Sequence, residues 1–315
     1  MKKLLILLFS LLISFNSYGL FEKTVCVETD AQDRDGVIYL PNKTKPFTGK
    51  NLCEYQNGQN KSKGKVEDGK KNDIWIEWEE NGQIKFERTY KVGQILREKN
   101  YQNGAVVNDT SYSYYESGQL KTEGTYKDGN LVFETKYSYY ENCFQCEEFN
   151  GKIEKEKYFI YGKFVHETRY GYYVDGQIHY KNSYKYGRLN GIKTSWYENG
   201  QKYFEHNYID GKKHGKSTRW EENGQIWGER NHKDDKLDGK ETYWYENGQK
   251  WTERNYKDDK LDGKWTAWYE NGQIWGERNY KDDKLDGKWT DWNENGQIYI
   301  EKYHKDGECI SGDCD

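Results

Sequence analysis

Proline is almost absent from this chain: two residues in 315, Pro41 and Pro46, both before residue 50. Methionine occurs once and aliphatic side chains are scarce, so one large aliphatic core is excluded. Long apolar runs are missing too, except Leu4 to Phe15, which is too short to span a bilayer comfortably. Lys2 and Lys3 precede that run and Ser17-Tyr18-Gly19 follow it, so residues 1–19 read as a secretory signal cleaved near Gly19. The expected location is exported (periplasm, cell surface or medium), without a transmembrane anchor. No cysteine sits at the cleavage point, so a lipid anchor is not indicated. Loss of Lys2 and Lys3 takes the formal charge from −4 to −6, and no basic run exists, which disfavours nucleic acid.

Catalytic constellations are missing as well. Six histidines (His166, His179, His206, His214, His232, His304) are scattered without metal-ligand spacing. No nucleophile elbow, Walker loop or dinucleotide fingerprint occurs. The chain is therefore expected not to be an enzyme, with no catalytic residue, metal ligand or cofactor.

What is abundant is glycine, tyrosine and tryptophan, 32, 30 and 12 residues, arranged as copies of one unit. Glu-Asn-Gly-Gln recurs with its glycine at Gly200, Gly224, Gly248, Gly272 and Gly296, a period of 24 residues. A second series, Gly191, Gly215, Gly239, Gly263 and Gly287, keeps the same period. Such self-similarity marks a repeat array whose units stack on their neighbours. Asn271-Gly272 is a strong hairpin signal, and a two-residue type I′ turn there sets Trp268 against Trp275, Thr266 against Glu277 and Tyr269 against Ile274. The same register pairs Trp196 with Tyr203, Trp220 with Trp227, Trp244 with Trp251 and Trp292 with Tyr299. A second turn at Asp282-Asp283 pairs Trp275 with Thr290. One face then carries Thr266, Trp268, Trp275 and Glu277; the other carries Trp265, Ala267, Tyr269, Ile274, Tyr280 and Leu285. The fold class is all-β: an elongated array of stacked antiparallel β-hairpins, stabilised by many small aromatic clusters.

The organisation reads as a lead-in or cap over residues 20–48, then degenerate hairpins over 49–186 with an insertion near 141–156. Regular repeats fill 187–305, and a polar tail 306–315. Six cysteines lie in the mature chain, and export favours their oxidation. Cys26 with Cys53 and Cys309 with Cys314 are candidate bridges tying down the two ends. Cys143 and Cys146 read as a local bridge, in preference to a redox dithiol or half of a metal site. The carboxylates at Glu205, Glu229, Glu253, Glu277 and Glu301 read as a solvated face, in preference to a cation ladder. The Asp-rich turns, Asp234, Asp235, Asp238 and their copies, lack the spacing of a calcium loop and read as turn chemistry.

The pattern GKWTAWYENGQIWGERNYKDDKLDGKW resembles the bacterial variant of the MORN repeat, as in YwqK-type antitoxins. That resemblance covers roughly residues 49–304 and is specific over 187–300. It implies stacked hairpins, an interaction role and, for the antitoxin label, neutralisation of a partner toxin. The expected function is a non-catalytic exported scaffold that binds a protein, either a toxin or an envelope protein. Its candidate binding face is Trp196, Trp220, Trp227, Trp244, Trp251, Trp268, Trp275 and Trp292, for which packing within the stack is the competing role. The alternative is a cell-wall or glycan-binding module, since aromatic faces stack on sugars and quaternary ammonium groups.

Overall fold

The computed structural model describes residues 22–140 and 151–314. The signal segment, Cys143, Cys146 and part of the expected insertion lie outside them. The described chain is nearly all strand, with one short helix, Val27–Asp30. It divides into two compact units between Ser111 and Tyr112.

The first unit is a meander. Strands Gly49–Glu54, Asn60–Glu67, Lys70–Trp78, Ile84–Lys91 and Gln94–Gln102 each pair antiparallel with the next. The lead-in closes its start, with Thr24–Val25 parallel to Lys50–Asn51. Val25, Ile38 and Phe47 from the lead-in pack with Val66, Trp75 and Tyr90 in the main buried apolar cluster. Trp75 lies so close over Gly64 that a Cβ there would sit 2.2 Å from its ring, and its indole donates to the Lys65 carbonyl at 2.9 Å. The Cys26–Cys53 disulfide ties the lead-in to the first long strand.

The second unit repeats the same plan from Leu120–Lys127 onward, each described strand antiparallel to its successor. The segment expected as a polar tail supplies the last strand, Glu308–Gly312, closed by the Cys309–Cys314 disulfide.

Two kinds of turn alternate, and they correct the expected register. At Asn271-Gly272 only the glycine has positive φ, 83°. Gly272 N donates to Tyr269 O at 2.9 Å, and Tyr269 N donates to Gln273 O at 2.8 Å. This is a type I turn followed by a left-handed glycine, one residue longer than the type I′ turn expected. The extra residue places Trp268 opposite Ile274, not Trp275. Likewise Trp196 faces Lys202, Trp220 faces Ile226, Trp244 faces Lys250 and Trp292 faces Ile298. Thr266 does pair with Glu277, as expected. The type I′ turns lie at the opposite ends of the strands, where Asp282 and Asp283 have φ of 48° and 66°.

The second glycine series makes a further correction. Gly287 has φ of 119° within strand Lys284–Trp292, and the register slips between Tyr280 and Arg278 on the neighbouring strand. Thr290 therefore meets Glu277, not Trp275. A left-handed residue inside a strand marks a bulge that glycine tolerates best.

Candidate functional site

In the second unit the corrected register sorts each repeat into two chemically different faces. On the first, threonine and glutamate alternate across successive strands: Thr194, Glu205, Thr218, Glu229, Thr242, Glu253, Thr266, Glu277, Thr290, Glu301. Each glutamate meets a lysine. Lys216–Glu229, Lys240–Glu253, Lys264–Glu277 and Lys288–Glu301 lie 2.5–2.8 Å apart, and Lys202 reaches Glu205 at 2.7 Å. Asn207, Asn231, Asn255 and Asn279 bridge the bulges by donating to the carbonyls of Lys216, Lys240, Lys264 and Lys288. This face holds the stack together.

The opposite face differs from repeat to repeat. Arg230 bonds Glu241 at 2.9 Å, and Arg254 approaches the same carboxylate at 3.7 Å. Two repeats on, Arg278 lies between Trp265 and Trp289, 4.3 and 4.1 Å from their ring centroids, and pairs with Asp291 at 3.2 Å. Small and large residues match across strands, as with Gly228 beside Tyr243 and Gly171 beside Tyr180. A Cβ on Gly228 would lie 2.8 Å from the Tyr243 ring.

The eight tryptophans expected on one face divide between the two. Trp227, Trp251 and Trp275 lie on the varied face: Trp227 meets Tyr243 edge to face, Trp251 packs at a tilt against the same ring, and Trp275 meets Trp265 edge to face at 5.6 Å. Trp220 and Trp268 lie on the constant face beneath Lys202 and Lys250, lysines that also bond Glu205 and Glu253. Trp196, Trp244 and Trp292 hold the same register position. Of the eight only Trp251 is exposed, at 46%. Of the cysteines, the Cys26–Cys53 and Cys309–Cys314 bridges form as expected.

The varied face carries a groove of about 270 Å³ whose lining includes Tyr203, His206, Lys213, Arg219, Trp227, Arg230 and Tyr243. Gly228 stands between Arg219 and Tyr243 in the register, and the Tyr243 ring lies over it. The Arg219 guanidinium lies 5.2 Å from the Tyr203 ring centroid and 4.6 Å from that of Trp227. Neither Arg219 nor Lys213 enters an ion pair among the described residues. Burial, with the Lys213 cation nearby, holds His206 down to about 4, so it is neutral near pH 7. Its ring stacks on Phe204 at 4.8 Å, and its Nδ1 is buried without a partner. No group of three His, Cys, Asp or Glu among the described residues is placed to hold a metal ion.

Residues 74–91, 110–128, 189–210, 213–234, 237–258, 261–282 and 285–306 match the MORN repeat variant. These seven segments are MORN repeats. No curated protein matches the chain. A solved structure of a mutant Tc holotoxin pore from Photorhabdus luminescens is similar over 88% of this chain, at 12% identity and a TM-score of 0.25. This chain spans 16% of that one, and the likeness carries no argument about function. The last four MORN matches each end on the first aspartate of a type I′ turn, so the unit is strand, type I turn, strand. Arg219, Tyr243, Trp265 and Arg278, which dominate the varied face of the MORN array, were not among the expected site residues. The signal for three of them was present: the copies starting at Gly215, Gly239 and Gly263 differ at six of 24 positions, including those of Arg219, Tyr243 and Trp265.

Proposed function

We propose that this MORN-repeat protein is a non-catalytic, exported interaction scaffold that binds a partner protein through the varied face of its second unit. One observation carries the reading. Among the three near-identical copies, the six differing positions are those of Trp265, Ala267, Tyr269, Ile274, Gly276 and Tyr280 in the third. Four of them, Trp265, Ala267, Gly276 and Tyr280, lie on the varied face; Tyr269 flanks the turn, and Ile274 pairs with Trp268 on the constant face, where the second copy has Lys250. None lies at the constant-face positions of Lys264, Thr266, Trp268, Glu277 or Asn279. A frame held largely constant while one face diversifies suits recognition, and Trp, Tyr and Arg are the side chains that dominate binding hot spots. Tyr243 and Trp265 are buried within that face, and Arg219, Arg230 and Trp251 are its exposed members. The two disulfides fit an oxidising compartment and support export. The YwqK-type resemblance makes a toxin neutralised by binding the first candidate partner.

The test is capture of partners from envelope and secreted fractions by the oxidised protein and two variants. Arg219→Ala with Trp227→Ala removes groove side chains; Lys240→Ala with Lys264→Ala removes constant-face charges. One stoichiometric protein lost only with the first pair supports the proposal. Capture that survives the first pair and fails with the second overturns the choice of face. No specific protein with any form overturns the scaffold reading. Wall material alone would favour the glycan alternative, for which the exposed ring of Trp251 is the motivating observation.

A further inference from the structure

We infer that the groove beside Arg219 receives a carboxylate side chain from an acidic segment of the partner protein. The inference rests on the scaffold reading and assigns the chemistry of the contact. Arg219 is exposed, has no carboxylate of its own, and is held between the rings of Tyr203 and Trp227. The other arginines of this face are matched: Arg230 and Arg254 share Glu241, and Arg278 has Asp291. Arg219 is therefore an exposed arginine of this face without a carboxylate partner among the described residues. A planar guanidinium already ordered by two rings loses little freedom when it bonds a carboxylate through two parallel N–H groups. Lys213 adds a second cation to the same lining. The groove, about 270 Å³, is smaller than the cavities that enclose whole ligands, and suits one or two inserted side chains.

The test is calorimetric titration of the oxidised full chain with poly-L-glutamate, using poly-L-glutamine and polygalacturonate as parallel probes. Binding of poly-L-glutamate that weakens as salt rises, and falls at least tenfold in Arg219→Ala but not in Lys288→Ala on the constant face, is the expected result. Arg219→Lys should recover only part of the affinity, because an ammonium cannot form the paired contact. Equal binding of poly-L-glutamine, or an Arg219→Ala variant that binds as the parent does, overturns the inference. Preference for polygalacturonate over poly-L-glutamate overturns it in favour of an acidic glycan. The circular dichroism of each variant must match the parent, and Lys288→Ala controls for general loss of charge. If a partner is captured equally by the parent and Arg219→Ala, the scaffold reading stands and only this assignment fails. If no partner is captured, the titration still reports on the groove.

Discussion

In the repeats that carry it, a tyrosine hydroxyl links one hairpin to the next; the position is held by Glu79, Glu221 and Asn293 elsewhere. Tyr197, Tyr245 and Tyr269 donate to the carbonyls of Trp220, Trp268 and Trp292, 23 residues ahead, at 2.8–2.9 Å. Tyr55 and Tyr173 do the same with Trp78 and Trp196. Tyr245→Phe keeps the ring and removes the hydrogen bond, so urea unfolding should show a loss of about 0.5–1.5 kcal/mol. No loss at all would mean that water replaces the hydroxyl without cost. Asp259 couples neighbouring repeats in another way. Its amide donates to the Leu237 carbonyl at 2.9 Å, while its carboxylate accepts from the Leu237 amide at 2.6 Å. Its φ is 71°, where most side chains are strained. Asp259→Gly should cost little, since relief of strain offsets the lost side-chain bond, as at Gly211 in an earlier repeat. Asp259→Ala loses the bond and keeps the strain, and should cost about 1–3 kcal/mol more than the glycine variant. Equal stabilities of the two variants would refute this account of the acidic turns.

At the level of the hairpin, the repeat and the antiparallel strands were legible in the sequence because the 24-residue period and the turn residues point the same way. The faces were not. Asn-Gly suits both a type I′ turn and a type I turn closed by a left-handed glycine, and the two differ by one residue. Side chains alternate with period two along a strand, so a slip of one residue sends Trp275 to the face opposite Trp268. The bulge at Gly287 was invisible for the same reason, since its positive φ belongs to the folded backbone. The differing positions of the copies could be counted from the sequence, yet only the corrected register places four of them on one face. In the first unit, strand packing depends on one close approach. Gly64→Ala would push a Cβ into the Trp75 ring, 2.2 Å away, between strands that cannot separate without losing their pairing. A loss of about 1–3 kcal/mol is expected, with a red shift of tryptophan emission as the indole gains water. A variant with parent stability and unchanged emission would show that the ring can slide aside freely.

Across the whole molecule, four described histidines, His166, His206, His232 and His304, are held below their ordinary value, in each case chiefly by burial. His206 falls furthest, to about 4. The unfolded chain takes up protons at these sites as pH falls through about 6.5, whereas the folded chain resists until lower pH. Between those limits the unfolded state binds more protons, so unfolding free energy rises with pH. Stability from these groups is full above about pH 6.5 and declines as pH falls towards 4. Carboxylates held low by cations, such as Asp109 beside Arg97, add their own loss only below about pH 4, so the histidines govern the window above it. The urea midpoint should therefore be lower at pH 5 than at pH 7, and His206→Asn should flatten that dependence without abolishing it. A midpoint unchanged between pH 7 and pH 5 would mean that these rings gain protons in the folded state as readily as in the unfolded chain. The same shift keeps His206 uncharged at neutral pH, so the positive side chains lining the groove are Arg219, Lys213 and Arg230.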